Sequence, residues 1–77
     1  MNVRYYAAAR AAAGVEGEAI VAPTLADLVD TVSARGDRLA KVLGSASFLV
    51  DGLVWHDRYA ALPGDCTVDV LPPFAGG

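Results

Sequence analysis

The sequence predicts an α+β domain, a sheet of five short strands packed on one main helix. Three observations predict it. Leu25, Leu28, Val29 and Val32 fall at i, i+3, i+4 and i+7, an apolar stripe along one helix face. Short apolar or alternating runs bounded by Gly, Pro and Asp lie on both sides of that helix and read as strands. Finally, 77 residues, 55% of them apolar and 19% charged, suffice for one folded domain and no more. The helix stripe must be covered, and a sheet face is the surface available to cover it.

Each element follows from its residues. Residues 2–6 read as a strand, with Val3 and Tyr5 on one face and Arg4 and Tyr6 on the other. One of the two tyrosines is therefore expected in the core and the other at the surface. Residues 7–13 are alanine-rich around Arg10 and end at Gly14, which predicts a short helical turn with a glycine stop. Residues 16–22 read as a second strand with Ile20 and Val21 at its apolar end, stopped by Pro23. Thr24 then caps the main helix, with Asp27 three residues on in a capping-box-like arrangement and in the first turn, where the helix dipole favours negative charge. Arg35 and Gly36 read as its stop. A second helical piece is expected over 38–43, closed by Gly44.

Residues 47–50 and 53–55 read as strands joined by the turn dipeptide Asp51-Gly52. Residues 56–61 read as loop, and Leu62-Pro63-Gly64-Asp65 as a turn. The last strand covers 67–71, with Val68 and Val70 on one face, and Pro72-Pro73 ends it because neither residue can donate a ladder hydrogen bond. The order of elements predicts two antiparallel hairpins flanking the helix.

Composition also excludes functions. Nine acidic against six basic residues give a net charge of −3, the wrong sign for a surface that binds nucleic-acid phosphates. No apolar run approaches the ~18–20 residues of a membrane span, and the first residues lack a signal-peptide pattern, so the cytoplasm is the expected location. Cys66 has no second cysteine, and His56 is the only histidine, so neither a disulfide nor a zinc or iron–sulfur site is expected. A chain this small offers little room for a buried catalytic cleft, which directs attention to a surface, a partner or a terminus.

The terminus carries the strongest signal. The last strand runs into Pro72-Pro73 and then Phe74-Ala75-Gly76-Gly77. Glycine has no Cβ, so a Gly-Gly end can thread a narrow slot. Two prolines stiffen its base toward polyproline geometry. Residues 73–77 can reach at most ~17 Å when extended. Residues 72–77 are thus expected to be a flexible functional tail on a single domain spanning 1–77. A carboxylate is a poor electrophile until it is joined to AMP, and a presented Gly-Gly carboxylate reads as a substrate for such activation.

Four segments together resemble a known family: Tyr5-Tyr6-Ala7-Ala8-Ala9-Arg10 followed by Gly14; Thr24-Leu25-Ala26-Asp27-Leu28; Pro63-Gly64-Asp65; and the closing Val70-Leu71-Pro72-Pro73-Phe74-Ala75-Gly76-Gly77. In these the chain resembles, over nearly its whole length, the small subunits of molybdopterin synthase within the ThiS/MoaD family of ubiquitin-like sulfur carriers. The closing Pro-Pro-x-x-Gly-Gly is the specific part. Ala11, Cys66 and Phe74 depart from the residues usual at their positions in the family.

The resemblance implies a ubiquitin-like β-grasp fold, a mixed five-stranded sheet on one main helix with a protruding Gly-Gly tail. It implies that an E1-like adenylyltransferase (MoeB-like) uses ATP to adenylate Gly77, and that a sulfur donor enzyme converts the adenylate to a thiocarboxylate. Gly76 permits threading of the tail into a synthase large subunit (MoaE-like), where sulfur passes to cyclic pyranopterin monophosphate in molybdenum cofactor biosynthesis. On this reading the chain binds no cofactor, is not catalytic alone, and works in a hetero-oligomer. Phe74, Ala75, Pro73 and Pro72 would then meet the partner. The alternatives are a carrier for thiazole or cysteine synthesis, and a non-catalytic ubiquitin-like adapter or modifier. Outside the tail, Cys66 reads as a plain packing residue at a strand start, Trp55 as packing at a sheet edge, His56 beside Asp57 as a solvated loop pair, and Lys41 as a solvated helix residue. An exposed apolar patch is expected near the final strand.

Overall fold

The computed structural model describes residues 1–73. Phe74, Ala75, Gly76 and Gly77 lie outside the described residues, and so does the expected protrusion of the tail. The elements run β1 (Asn2–Tyr5), α1 (Ala7–Ala13), β2 (Gly17–Ala19), α2 (Leu25–Ser33), α3 (Asp37–Gly44), β3 (Ser47–Val50), β4 (Leu53–Val54) and β5 (Thr67–Leu71). One sheet holds all five strands in the order β2-β1-β5-β3-β4. The expected hairpins are present, β1 antiparallel to β2 and β3 antiparallel to β4. The last strand lies between them, parallel to β1 and antiparallel to β3, which makes the sheet mixed. This is the β-grasp arrangement.

Alternation sorts the strands into two faces. Val3, Tyr5, Phe48, Val50, Val68 and Val70 are buried on the helix side. They meet Leu25, Leu28 and Val32 of α2 and Leu39 and Leu43 of α3 in one core, with Ala9 of α1 fully buried beside them. Tyr5 is thus the core tyrosine, and Tyr6 is exposed. Cys66, reduced and buried, packs into the same core.

The helix layer holds the main helix α2 and the two short helical pieces expected over 7–13 and 38–43, and its departures from expectation lie at the helix ends. α2 stops at Ser33, before the expected Arg35-Gly36 stop, and Gly36 instead occupies the N-cap of α3. Gly44, read as a terminator, is the last residue inside α3. The Thr24 cap is present: the Asp27 N–H donates to Thr24 Oγ1 at 3.2 Å. The Thr24 hydroxyl in turn donates to the Asp27 carboxylate at 2.9 Å.

Three strands are shorter than read. β2 covers only Gly17–Ala19 instead of 16–22. Ile20 closes the pairing with Met1 by mutual backbone bonds of 3.0 Å, and Val21 beyond it is 96% exposed. β1 ends at Tyr5; Tyr6, still extended, is the N-cap of α1, and the chain turns at Ala7, whose φ is 50°. β4 ends at Val54, although the Trp55 N–H still donates to the Phe48 carbonyl. β3 and β5 match the sequence reading. The Asp51-Gly52 turn has both residues at positive φ, 50° and 85°, as a tight hairpin of the right twist requires.

A three-part contact ties the β2 edge to the helix layer. The Tyr5 hydroxyl donates to Glu18 Oε2 at 2.8 Å, and Arg35 donates to the same oxygen. Burial, then the hydrogen bond to Glu18, pushes the Tyr5 phenol well above its usual range. The Arg35 bond, reinforced by Tyr5, holds the Glu18 carboxyl below its usual range despite partial desolvation.

A carboxyl depressed by folding stabilises the fold above its unfolded pKa, and that stabilisation fades as pH falls through the folded value. The urea midpoint is therefore expected to fall on acidification below the ordinary glutamate pKa, and Glu18→Gln should flatten that fall. An equally steep acid limb in Glu18→Gln would refute the assignment. A Cβ on Gly17 would lie 2.8 Å from the Val3 carbonyl oxygen, whereas one on Gly44 would meet nothing within 4 Å. Gly17→Ala should lower the melting temperature, and Gly44→Ala should hold or raise it, by about 0.5–1 kcal/mol in stability.

Candidate functional site

β5 delivers the end of the described chain. It is the central strand, its Val68, Asp69 and Val70 all buried, so Leu71 leaves the middle of the sheet and not an edge. On one side Leu71 pairs with Ser47 of β3. On the other, the Tyr6 N–H donates to the Val70 carbonyl at 3.2 Å, extending the β1 pairing to the strand end. Pro72 then ends the ladder, since it has no N–H to offer.

The two prolines behave differently. Pro72 is buried and Pro73 exposed. Both line a groove of about 250 Å³ with Ala8 from α1 and Lys41, Val42 and Ser45 from the end of α3. The walls are mostly apolar, and exposed Lys41 adds a single positive charge. Four predicted site residues, Phe74, Ala75, Gly76 and Gly77, lie outside the described residues, so the structure locates the root of the tail and not its tip.

The sheet face away from the helices is open. Its centre is an ion pair, Arg4 Nε to Asp69 Oδ1 at 2.6 Å and Nη2 to Oδ2 at 3.0 Å. Both Arg4–Asp69 bonds run between adjacent residues of the parallel β1–β5 pair. The carboxylate is nine-tenths buried while the guanidinium is half exposed. Around it lie the half-buried Leu49 and Leu71 and the exposed Tyr6 and Val54. The expected apolar patch near the final strand is present in this form, flanking a charged centre.

The ion pair was not singled out from sequence. Its only signal is that Arg4 and Asp69 both sit at polar positions of alternating strands, and the register that brings them together depends on the fold. Among the described residues, no group of three or more His, Cys, Asp or Glu side chains could hold a metal ion. No helix among them is long and apolar enough to cross a membrane. His56 is exposed, and Trp55 is half-buried at the β4 edge, as expected of a packing residue there.

Deleting the arginine strands a nearly buried carboxylate, which costs more than losing an exposed pair. Arg4→Met is expected to lower the urea midpoint clearly, and Arg10→Met, whose pair with Glu16 is exposed at 3.4 Å, hardly at all. Equal effects of the two substitutions would show that the Arg4–Asp69 pair has no special part in the sheet.

No family model matches the sequence, and no curated protein matches it. Solved structures do. The putative molybdopterin converting factor subunit 1 from Pyrococcus furiosus superposes with a TM-score of 0.80 at 24% identity, covering 95% of both chains. The HVO 2177 protein of Haloferax volcanii gives 0.78 at 28% identity, over 99% of this chain and 84% of that one. A chain from the complex of subunits 1 and 2 of the molybdopterin-converting factor from Helicobacter pylori gives 0.71 at 21% identity, over 99% and 96%. The chain therefore has the ubiquitin-like β-grasp fold found in subunit 1 of molybdopterin converting factors.

Proposed function

We propose that the chain is a sulfur carrier, the small subunit of a molybdopterin synthase, and that its reactive group is the carboxylate of Gly77. The observation that carries this reading is a Pro-Pro-Phe-Ala-Gly-Gly segment continuing directly from the central strand of a β-grasp body. The likeness to subunit 1 of molybdopterin converting factors supports it, and the Helicobacter complex supports a larger subunit as the partner.

The chemistry needs nothing of the chain except an accessible carboxylate. A carboxylate oxygen attacks the α-phosphorus of ATP on an E1-like adenylyltransferase, and pyrophosphate leaves. A persulfide on a donor enzyme then attacks the acyl carbon, and AMP leaves; a thiol of the donor cleaves the S–S bond of the acyl disulfide so formed, which leaves a thiocarboxylate on Gly77 and a disulfide on the donor. In the larger subunit the thiocarboxylate sulfur attacks a carbon of the cyclic pterin precursor and displaces an oxygen substituent; water then cleaves the acyl–sulfur bond, which leaves the sulfur on the pterin and returns the carboxylate to Gly77. Gly76 lets the tail pass a narrow channel because it carries no Cβ. This acidic chain has few cations to offer, so the partner supplies those that hold the thiocarboxylate and the precursor's phosphate.

The test is intact mass after incubation with ATP, an E1-like enzyme and a sulfur donor. The full chain should gain the difference between one sulfur and one oxygen, and a chain lacking Gly77 should gain nothing. One residue appended after Gly77 should abolish the gain while leaving the melting temperature unchanged. Failure of the full chain to be modified would overturn the proposal. Transfer of its sulfur to a thiazole or cysteine precursor, and not to the pterin, would reassign the acceptor.

A further inference from the structure

Beside the tail root the sheet carries a second, smaller cavity. It is a notch of about 140 Å³ whose lining includes Ser47 and Phe48 of β3 and Trp55, His56 and Arg58 just after β4. The register places it. Ser47 pairs with Leu71, and the β3–β4 pairing, continued past Trp55, brings His56 beside Ser47. The notch therefore opens at the end of the sheet from which the tail departs.

Its polar chemistry is one-sided. None of the chain's nine Asp and Glu side chains lines the notch. Arg58 is half-buried with its guanidinium carbon 5.2 Å from the centre of the Phe48 ring, and it forms no ion pair with any described residue. Its neighbour Asp57 is turned elsewhere, accepting from the Tyr59 N–H at 2.9 Å. The Trp55 indole N–H is buried without an acceptor among the described residues. A buried donor left unpaired costs about 1–3 kcal/mol, and an acceptor that reaches it recovers that cost. At 5.2 Å the Arg58 guanidinium is within cation–π range of the Phe48 ring, and its fork of N–H donors matches a planar pair of oxygens, the geometry of a carboxylate.

We propose that this notch is a carboxylate-binding site that seats an Asp or Glu side chain of the protein receiving the tail. The identity of that protein rests on the function proposed above; the site itself rests on the notch's own residues. A carboxylate fits better than a substrate phosphate for a reason of distance. The four residues after Pro73 can carry the reacting end up to about 14 Å from the sheet, so a phosphate at Gly77 need not approach Arg58. What lies against the notch is the partner's surface around the mouth of its channel.

The chain has a single tryptophan, so its indole N–H gives one unambiguous NMR signal. The full-length protein is titrated with sodium glutarate, with inorganic phosphate, and with sodium chloride at matched ionic strength. Glutarate should move the Trp55 indole signal and the Ser47 and His56 amides along one saturating curve. Arg58→Gln, with its spectrum otherwise preserved, should weaken that binding at least ~10-fold, the factor expected for loss of a charge-assisted hydrogen bond. Should Arg58→Gln fail to fold, exposed His56→Ala decides, with weaker binding expected there too.

Drift that never saturates, the same drift in chloride, or unchanged binding in the decisive variant would overturn the site. Tighter saturation by phosphate than by glutarate would overturn the carboxylate assignment. None of these readouts needs an activated tail, so a failure here leaves the thiocarboxylate experiment independent.

Discussion

The structure depends on the last strand occupying the middle of the sheet. β5 pairs with β1 on one side and β3 on the other, and these contacts join residues as far apart in sequence as Val3 and Val68. Without β5 the two hairpins would be separate two-stranded pieces, and such pieces are marginal in water. With it, Val68 and Val70 complete the apolar face that α2 and α3 cover. The strand that unifies the core is also the one that leads into Pro72, so the root of the tail follows directly on buried Val68, Asp69 and Val70.

That position separates two demands that would otherwise conflict. A chemical handle of the kind proposed for this chain has to be accessible, and a segment that frays weakens the domain. Here the ladder holds the chain through Leu71, and Pro72 is packed against the end of the helix layer before Pro73 reaches solvent. The edges carry the looser parts. β2 and β4 are three and two residues long. Short edge strands limit pairing with other chains. The β2 edge is further secured by the contact of Tyr5, Glu18 and Arg35, and the centre of the open face by Arg4 and Asp69.

The functional reading and the fold come from different parts of the molecule. The body supplies the β-grasp frame, which many chains can share without sharing an activity. The chemistry proposed for this chain belongs to the six residues from Pro72 onward, of which only the two prolines are described. What the body adds is the surroundings of the root: an apolar groove beside Lys41 on the helix side, a notch around Arg58 on the strand side, and an open sheet face with apolar flanks.

Local chemistry in the sequence was enough to determine the existence of the strands, the Asp51-Gly52 hairpin, the Thr24 cap, the placing of Tyr5 and Tyr6 on opposite faces and the distinctive Pro-Pro-x-x-Gly-Gly ending. Each depends on residues near one another in the chain: alternation, a turn dipeptide, a side chain reaching its own helix. The tertiary structure decided the rest. β2 pairs with β1 only over Gly17–Ala19, Gly36 caps α3 instead of ending α2, and Arg4 meets Asp69 across a parallel register. The Arg58 notch likewise forms only when the segment after β4 lies against β3. No local propensity specifies these features, because each is set by which strands become neighbours.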